Sequence, residues 1–281
     1  IEKGIVLGQG NFGRVCEAML DGRKVAVKSL LKLDDKAVAE FLKEAETARR
    51  LSHENIVRII GVCTKDKQSL YIVTEFLSGR DLVKYLKLCE GEEEPKKTLT
   101  HIEFLAIARK IAAAMAHLEQ NNIVHRDLAA RNVLVGQSLN AIKLADFGLA
   151  RSLDDKTYYR SQRKEFPYKW TAPEAFVFYG PDNTVVKDGL YTSASDVWSY
   201  AVVLWELYSM GAVPYSDKDN SHIYKYLKED NSRLERPAMC PENTIYKMMR
   251  QCWSIDPTKR PTFAAILTLL DEYAQLEEGV E

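Results

Sequence analysis

Apolar and polar residues along the first quarter of the chain follow a pattern that predicts β-strands. A glycine-rich segment lies between the first two apolar runs, and Asp21-Gly22, a hairpin turn signal, lies between the second and the third. The predicted strands are residues 2–8, 14–20, 23–30, 56–62 and 69–76. The pattern therefore predicts a small, β-rich lobe that ends at about residue 77.

A helical repeat interrupts these strands between residues 34 and 51. Val38, Phe41, Leu42 and Ala45 recur at the spacing of one helix face. We therefore expect one helix that packs this face against the predicted sheet.

After residue 77 the pattern becomes mainly helical. Following a charged loop at 91–97, residues 100–120 predict a long helix, with Thr100 as its N-cap and Glu103 completing a capping box. Residues 193–210 predict a second, apolar helix, and the C-terminal segment is helical with proline-marked breaks. The sequence thus predicts an α+β chain with a larger, mainly α-helical second lobe.

Composition narrows the class of protein. The chain has 281 residues, 46% of them hydrophobic, and a formal net charge of -1, which gives no reason to expect nucleic acid or an acidic membrane as the main partner. Five scattered cysteines without a C-x-x-C pair argue against a disulfide scaffold or a zinc site and suit a reducing compartment. No apolar run approaches the roughly 18 residues of a membrane span. Because the chain begins at Ile1 and has no signal peptide, we expect an excised domain that lacks any targeting or anchoring segments.

The glycine-rich segment, Gly8-x-Gly10-x-x-Gly13-x-Val15, is the first candidate for chemistry. Glycines let the backbone approach phosphate oxygens and point amide N–H groups at them. The strand and hairpin that follow disfavour a dinucleotide site, which needs a helix there, and the sequence of a Walker loop is missing. Taken alone, the segment is also consistent with a glycine-rich hairpin that binds no ligand.

Lys28 ends the apolar run Val25-Ala-Val and is a candidate phosphate-binding cation. A solvated strand end is the alternative for a lysine in this position. The helix at 34–51 offers three carboxylates to hold it, at Glu40, Glu44 and Glu46, of which Glu44 lies near the apolar face while the other two are expected to be solvated.

Residues 125–132, His-Arg-Asp-Leu-Ala-Ala-Arg-Asn, followed by Asp146-Phe-Gly, concentrate the remaining candidate chemistry. They supply a candidate base, two hard oxygen ligands for magnesium and two cations. Phosphoryl transfer needs positioned charges of this kind more than covalent chemistry.

Together these motifs, with Ala172-Pro-Glu174, resemble the protein kinases in identity and order, over nearly the whole chain. Asp196-Val-Trp198 and the segment 252–261 fit the same family. Ala129 and Arg131, with the segment 166–170 (Phe-Pro-Tyr-Lys-Trp), resemble the protein tyrosine kinases, particularly the cytoplasmic Src and Fes types. Serine/threonine kinases usually carry a lysine at the position of Ala129. The resemblance also implies that the segment 166–170 holds the ring of the substrate tyrosine.

The resemblance implies a role for each site residue. Asp127 would accept or orient the proton of the substrate hydroxyl, Arg131 would neutralise the γ-phosphoryl or orient Asp127, and Lys28, fixed by Glu44, would bind the α- and β-phosphates. Asn132 and Asp146 would hold Mg²⁺. The implied ATP-binding residues are Leu7, Gly8, Gly10, Gly13, Val15, Ala26, Lys28, Thr74, Glu75, Leu77 and Leu134.

The resemblance also implies structural roles. His125 and Phe147 would be buried packing residues, Glu174 and Arg260 would form an ion pair, and Asp196 would hold the backbone of the catalytic loop.

For the whole chain, the resemblance implies one bilobal kinase domain, with an N-lobe at 1–77 and a C-lobe at 78–281. It implies ATP and Mg²⁺ as cofactors and tyrosine-containing proteins as substrates. It also implies a cytoplasmic location or the cytoplasmic side of a membrane protein, and a monomer that dimerises transiently for trans-autophosphorylation. Tyr158 is expected to be the main autophosphorylation site, with Tyr159 beside it, and Arg126 and Arg151 as the phosphate-binding cations.

Two other functions stay open: a pseudokinase that binds nucleotide without transfer, and a serine/threonine kinase.

The sequence departs from the family pattern at three places. Gly79 is one position early in the segment after residue 77, small Ala48 is expected to weaken helix packing and to make activity depend more on phosphorylation, and residues 179–189 are an insertion of unknown purpose.

Overall fold

The computed structural model describes residues 2–10, 13–31, 34–64, 70–90, 98–152, 166–179, 185–187 and 189–278. The N-lobe is built on five antiparallel strands in the order β1-β2-β3-β5-β4. The strands are β1 (Glu2–Gly10), β2 (Gly13–Leu20), β3 (Arg23–Ser29), β4 (Ile59–Cys63) and β5 (Tyr71–Glu75). Helix α1 (Asp35–Arg50) packs Phe41 and Ala45 against Leu70 and Ile72, as the helical repeat predicts.

The C-lobe is mainly helical among the described residues. Its helices are α2 (Leu82–Glu90), α3 (His101–Gln120), α4 (Ser193–Tyr208), α5 (Asn220–Lys228), α6 (Lys247–Cys252) and α7 (Phe263–Glu278). Its short antiparallel pairs are β6 (Ile123–Val124) with β9 (Arg151–Ser152), β7 (Val133–Val135) with β8 (Ile142–Leu144), and β10 (Phe178–Tyr179) with β11 (Val185–Lys187). The architecture is thus the expected α+β fold with a β-sheet lobe and a helical lobe.

Local signals that the sequence carries are present in the structure. Asp21 and Gly22 have positive φ angles of 48° and 74°, which the tight turn between β2 and β3 requires. Thr100 Oγ1 accepts a hydrogen bond from the backbone of Glu103 at 3.2 Å, and Glu103 Oε2 accepts one from the backbone of Thr100 at 2.9 Å. Both predictions are confirmed.

Three details differ from the sequence-based predictions. β4 begins at Ile59 because Ile56 forms a bridge with Leu144 of the other lobe. Leu42, predicted to lie on the buried face of α1, is 39% exposed. The sequence pattern had not identified α2, although Leu82, Leu86 and Cys89 are buried at helical spacing.

The lobes are joined by backbone contacts that fix the width of the cleft between them. Val57 N donates to Leu144 O at 2.9 Å, and Leu144 N donates to Asn55 O at 2.8 Å. The Asn55 side chain is buried and donates to the backbone of Ile142 at 3.0 Å. These contacts place the segment between α1 and β4 directly beside strand β8, which leads into Asp146.

No helix in the described part of the chain combines the length and apolar character needed to cross a bilayer. All five cysteines are free thiols.

Candidate active site

A cleft of about 760 Å³ lies between the lobes and contains most of the residues expected to bind nucleotide. Of the residues that the sequence singled out, the cleft is lined by Leu7, Gly8, Gly13, Val15, Ala26, Lys28, Glu44, Thr74, Glu75, Leu77, Arg131, Asn132, Leu134 and Asp146. Gly10 pairs with Gly13 across the end of the β1–β2 hairpin. The volume is in the range of small-molecule and cofactor sites.

The glycines of the β1–β2 hairpin differ in what surrounds them. A Cβ on Gly13 would lie 2.4 Å from Ser29 O, so this position has no room for a side chain. A Cβ on Gly8 would meet nothing within 4 Å. Gly13 therefore lets strands β2 and β3 approach each other, whereas the space at Gly8 belongs to the cleft.

Lys28 connects three elements at the back of the cleft. Its Nζ donates to Glu44 Oε1 of α1 at 2.6 Å and to Asp146 Oδ1 at 3.3 Å. Burial alone would lower the pKa of Lys28, but the carboxylates of Asp146 and Glu44 outweigh that effect and raise it above its ordinary value. The field of Lys28 lowers the pKa of Asp146. Lys28 is therefore a cation at neutral pH, and Asp146 is an anion.

The structure distinguishes the three glutamates of α1. Glu44 contacts Lys28, whereas Glu46 forms an exposed ion pair with Arg50 at 2.6 Å. Glu40 differs from expectation: one of its carboxylate oxygens is buried and has no hydrogen-bond partner within the described residues, so it is not simply solvated.

Two side chains hold the carboxylate of Asp127. Arg131 Nη2 donates to Asp127 Oδ1 at 2.5 Å, and Asn132 Nδ2 donates to Asp127 Oδ2 at 3.2 Å and to its backbone carbonyl at 2.7 Å. Asn132 is buried, while Arg131 is exposed. The carboxylate is thus fixed by one charged and one neutral donor.

Residues that pack behind the catalytic loop (residues 125–132), or farther along the chain in the C-lobe, make the contacts that were expected. His125 is fully buried, and its ring meets that of Phe147 edge-on at 5.4 Å. Asp196, at the start of α4, accepts hydrogen bonds from the backbone N–H groups of His125 and Arg126. Arg260 binds Glu174 through two nitrogens, at 2.5 and 2.9 Å.

The packing of the segment that connects the lobes explains why Gly79 lies one position earlier than the glycine of the family pattern. A Cβ on Gly79 would lie 2.5 Å from Gly136 O and 2.8 Å from Val135 O, because this segment runs against β7. On the cleft side, the Glu75 side chain accepts from Lys143 at 2.7 Å and from the backbone of Arg58 at 2.8 Å. Thr74 Oγ1 donates to the backbone carbonyl of Glu75 at 3.2 Å.

Ala48 lies in the wall of the cleft and is only 7% exposed. It belongs to the same buried cluster as Leu51 and Ile56. The small side chain is therefore packed, and α1 keeps the Lys28–Glu44 contact with an alanine at this position.

The expected regulatory residues are only partly described. Tyr158 and Tyr159 lie outside the described residues. The guanidinium of Arg126 lies over the ring of Tyr191, 4.9 Å from its centroid. Arg151 is buried, and its Nη1 donates to the carbonyls of Gly148 and Ala150.

Part of the insertion at 179–189 forms the β10–β11 pair. At its end, a Cβ on Gly189 would lie 2.2 Å from Ala175 O, and Leu190 N donates to Glu174 O at 2.9 Å. The insertion is therefore anchored beside the segment that contains Glu174.

Glu206 is a residue of the site that the sequence pattern does not single out. It lies in the segment 193–210, which the pattern predicts to be an apolar helix. Glu206 is 3% exposed, and its Oε2 accepts from the backbone of Ala130 and from Trp170 Nε1, both at 2.9 Å. Burial raises the pKa of Glu206 to about 7. The signal in the sequence was the carboxylate itself, since a charged residue inside a buried helix needs partners.

Comparison with known proteins agrees with this geometry. The family model for protein tyrosine and serine/threonine kinases matches residues 1–270. The chain is 41% identical over 262 residues to the tyrosine-protein kinase transforming protein Abl of Abelson murine leukemia virus, covering 92% of this chain and 32% of that protein. It is also 41% identical over 264 residues to the transforming protein Fps of avian sarcoma virus strain PRCII, covering 92% of this chain and 46% of that one.

A third relative is the tyrosine-protein kinase Abl of Drosophila melanogaster, 41% identical over 280 residues, which covers 98% of this chain and 16% of that protein. The chain thus spans less than half the length of each of these three relatives. A family match over almost every residue, with the cleft and its charged groups in place, leads to one conclusion. The chain belongs to the protein tyrosine and serine/threonine kinase family.

Proposed function

We propose that this chain transfers the γ-phosphoryl group of ATP to tyrosine hydroxyls of protein substrates. The observation that carries the proposal is that Lys28, Glu44, Asn132 and Asp146 line a single cleft, where Lys28 contacts both carboxylates and Asn132 donates to Asp127. Such an arrangement positions a polyphosphate and stabilises its charge, which is most of what phosphoryl transfer requires.

Each residue has a proposed part in the reaction. Lys28, held as a cation by Glu44, binds the α- and β-phosphates, and the hairpin at Gly8 covers them. Asp127 accepts the proton of the substrate tyrosine hydroxyl. As it does so, the tyrosine oxygen bonds to the γ-phosphorus, and the bond between the γ-phosphorus and the bridging oxygen of the β-phosphate breaks. Arg131, which already donates to Asp127, offsets charge that develops on the phosphoryl oxygens.

The donor set suits Mg²⁺. Asn132 uses its amide N–H groups on Asp127, which leaves its amide oxygen as the ligand, and Asp146 is anionic. In the described part of the chain, no group of three or more His, Cys, Asp or Glu residues is arranged to hold a metal. A pair of hard oxygens that shares the ion with phosphates is how Mg²⁺ is usually bound, and the bound ion would supply charge neutralisation.

A tyrosine substrate is supported by two observations. Arg131 follows Asp127 at the fourth position, with Ala129 in place of a lysine, and the relatives reported above are named tyrosine-protein kinases. We further propose that phosphorylation at Tyr158 in trans activates the domain, that the domain is otherwise monomeric, and that it works in the cytoplasm or on the cytoplasmic side of a membrane.

A radiolabelled ATP assay with a Glu/Tyr copolymer tests the proposal. Transfer of label that depends on Mg²⁺, with phosphotyrosine as the product in phosphoamino-acid analysis, supports it. Nucleotide binding without transfer would instead identify a pseudokinase, and label on serine or threonine of a mixed protein substrate would identify a serine/threonine kinase.

A further inference from the structure

Glu206 is a buried carboxylate to which the proposed reaction assigns no part. It lies in the last turn of α4, where Val203, Leu204 and Leu207 are completely buried. Among the described residues, no lysine or arginine forms an ion pair with it. Burying a carboxylate destabilises the folded chain unless hydrogen bonds or a cation replace its hydration, and in Glu206 two hydrogen bonds do so.

These two hydrogen bonds join two distant segments of the chain at one oxygen. Oε2 of Glu206 accepts from the backbone N–H of Ala130, within the catalytic loop, and from the indole N–H of Trp170. Trp170 belongs to the segment that is expected to hold the substrate tyrosine. Glu206 therefore fixes the distance between the catalytic loop and the substrate side of the site.

Trp170 is also linked to the carboxylate of Asp127, through Arg131. The guanidinium of Arg131 lies 4.5 Å from the centroid of its ring, and Arg131 Nη2 donates to Asp127 Oδ1. An indole whose N–H donates to a carboxylate has more electron density on its ring face and holds a cation there more strongly. The contacts thus run from Glu206 through Trp170 and Arg131 to Asp127.

We infer that Glu206 is a positioning residue for phosphoryl transfer: through Trp170 it sets Arg131 against Asp127, and it couples the placement of the substrate segment to that of the catalytic base. The inference rests on the proposed kinase function. It predicts a loss in the catalytic step rather than in nucleotide binding, because neither Glu206 nor Trp170 lines the cleft that contains Lys28 and Glu44.

The test compares Glu206→Leu with Glu206→Gln. The leucine variant removes the shared acceptor and is expected to lower kcat about 10- to 100-fold, with KM for ATP changed by less than about 3-fold. The glutamine variant keeps an amide oxygen that can accept from both Ala130 and Trp170, and is expected to recover kcat to within about 5-fold of the unmodified chain.

Val203→Ala, in the same helix and equally buried, is the control for loss of packing. At a temperature where circular dichroism shows all proteins folded, it is expected to keep kcat within about 2-fold. Equal loss of kcat in Val203→Ala, a parallel rise of KM for ATP in Glu206→Leu, or an unchanged kcat in Glu206→Leu would each overturn the inference.

Trp170→Phe keeps the test decisive if the leucine variant does not fold. Phenylalanine preserves an aromatic face for Arg131 but removes the N–H that Glu206 accepts, so kcat is expected to fall about 3- to 10-fold. Unchanged kcat in this variant would also overturn the inference. An unmodified chain that transfers no phosphoryl group would contradict the proposed function itself, which separates the two failures.

Discussion

The carboxylate of Asp196 holds the backbone of Arg126 in a conformation that few residues adopt. Its Oδ1 accepts from Arg126 N at 3.0 Å, and Arg126 has a φ of 68°. Its Oδ2 accepts from His125 N at 2.6 Å. One buried carboxylate thus satisfies two consecutive amides and offsets the cost of a left-handed residue directly before Asp127.

Asp196→Asn is therefore expected to destabilise the fold and to lower activity. An amide has one acceptor oxygen, so its NH₂ group would face one of the two backbone N–H groups, at a cost of about 1–3 kcal/mol. Urea unfolding and kcat measure the two effects. Asp217→Asn, at an exposed residue paired with Lys218, is the control and is expected to change neither; equal behaviour of the two variants would contradict the prediction.

Lys28→Met is expected to lower kcat/KM for ATP by about 10²- to 10³-fold, because it removes the cation that we propose binds the phosphates of ATP. Lys24→Met is the matched control on the same strand. Lys24 has a 59% exposed side chain and pairs with Glu17 outside the cleft, so its activity is expected to be unchanged. Steady-state kinetics at several ATP concentrations measure kcat/KM in both variants. If Lys28→Met kept the activity of Lys24→Met, the assignment of Lys28 to the ATP site would be wrong.

How much of this site the sequence could predict depends on how local each interaction is. The capping box at Thr100 and the turn at Asp21 are short-range signals, and both are present. Periodicity places Glu44 nearer the apolar face than Glu40 and Glu46, but the choice of Glu44 as the partner of Lys28 depends more on the family resemblance. The interaction of Trp170 with Glu206 joins residues 36 positions apart, and no local pattern encodes it.

The same limit explains the errors at element boundaries. Ile56 has the character of a strand residue, but it pairs with Leu144, 88 positions later, instead of extending β4. Gly79 departs from the family pattern for a comparable reason, since the obstacle to a side chain is the backbone of Val135 and Gly136. Non-local packing decides both positions.

Two glycines of the β1–β2 hairpin are expected to respond differently to alanine. Gly13→Ala would place a Cβ against Ser29 O and is expected to destabilise the fold by about 1–3 kcal/mol. Gly8→Ala meets no atom within 4 Å, so the expected change is in KM for ATP, with little change in Tm. Thermal unfolding together with ATP kinetics separates the two, and equal loss of Tm would contradict this assignment.

Tyr158→Phe is expected to abolish most of the activation produced by preincubation with ATP, because a phosphate adds about -1.5 to -2 charges that Arg126 can bind. Tyr159→Phe is the neighbouring control and is expected to retain activation. Time courses of substrate phosphorylation, with and without preincubation, give the answer. Full activation of Tyr158→Phe, or its loss only in Tyr159→Phe, would show that Tyr158 is not the main site.

The free energy of unfolding of the chain is expected to depend on pH because Glu206 titrates. Burial raises its pKa from 4.5 to about 7, so between these values the folded chain binds a proton that the unfolded chain has released. The contribution of Glu206 to stability is therefore largest below pH 4.5 and decreases as the pH rises through 7. At about 1.4 kcal/mol per pKa unit, the decrease between pH 5 and pH 8 is roughly 2–3 kcal/mol.

Glu206→Gln removes this titration, because an amide does not ionise. Relative to the unmodified chain, the variant is therefore expected to gain roughly 2–3 kcal/mol of stability between pH 5 and pH 8. Asp196, whose pKa burial raises to about 6, contributes in the same direction in both proteins and cancels in the comparison. Urea unfolding at several pH values measures the difference. A difference that stays constant with pH would mean that Glu206 is ionised throughout this range, with Arg131 and the donors from Ala130 and Trp170 fully compensating its burial.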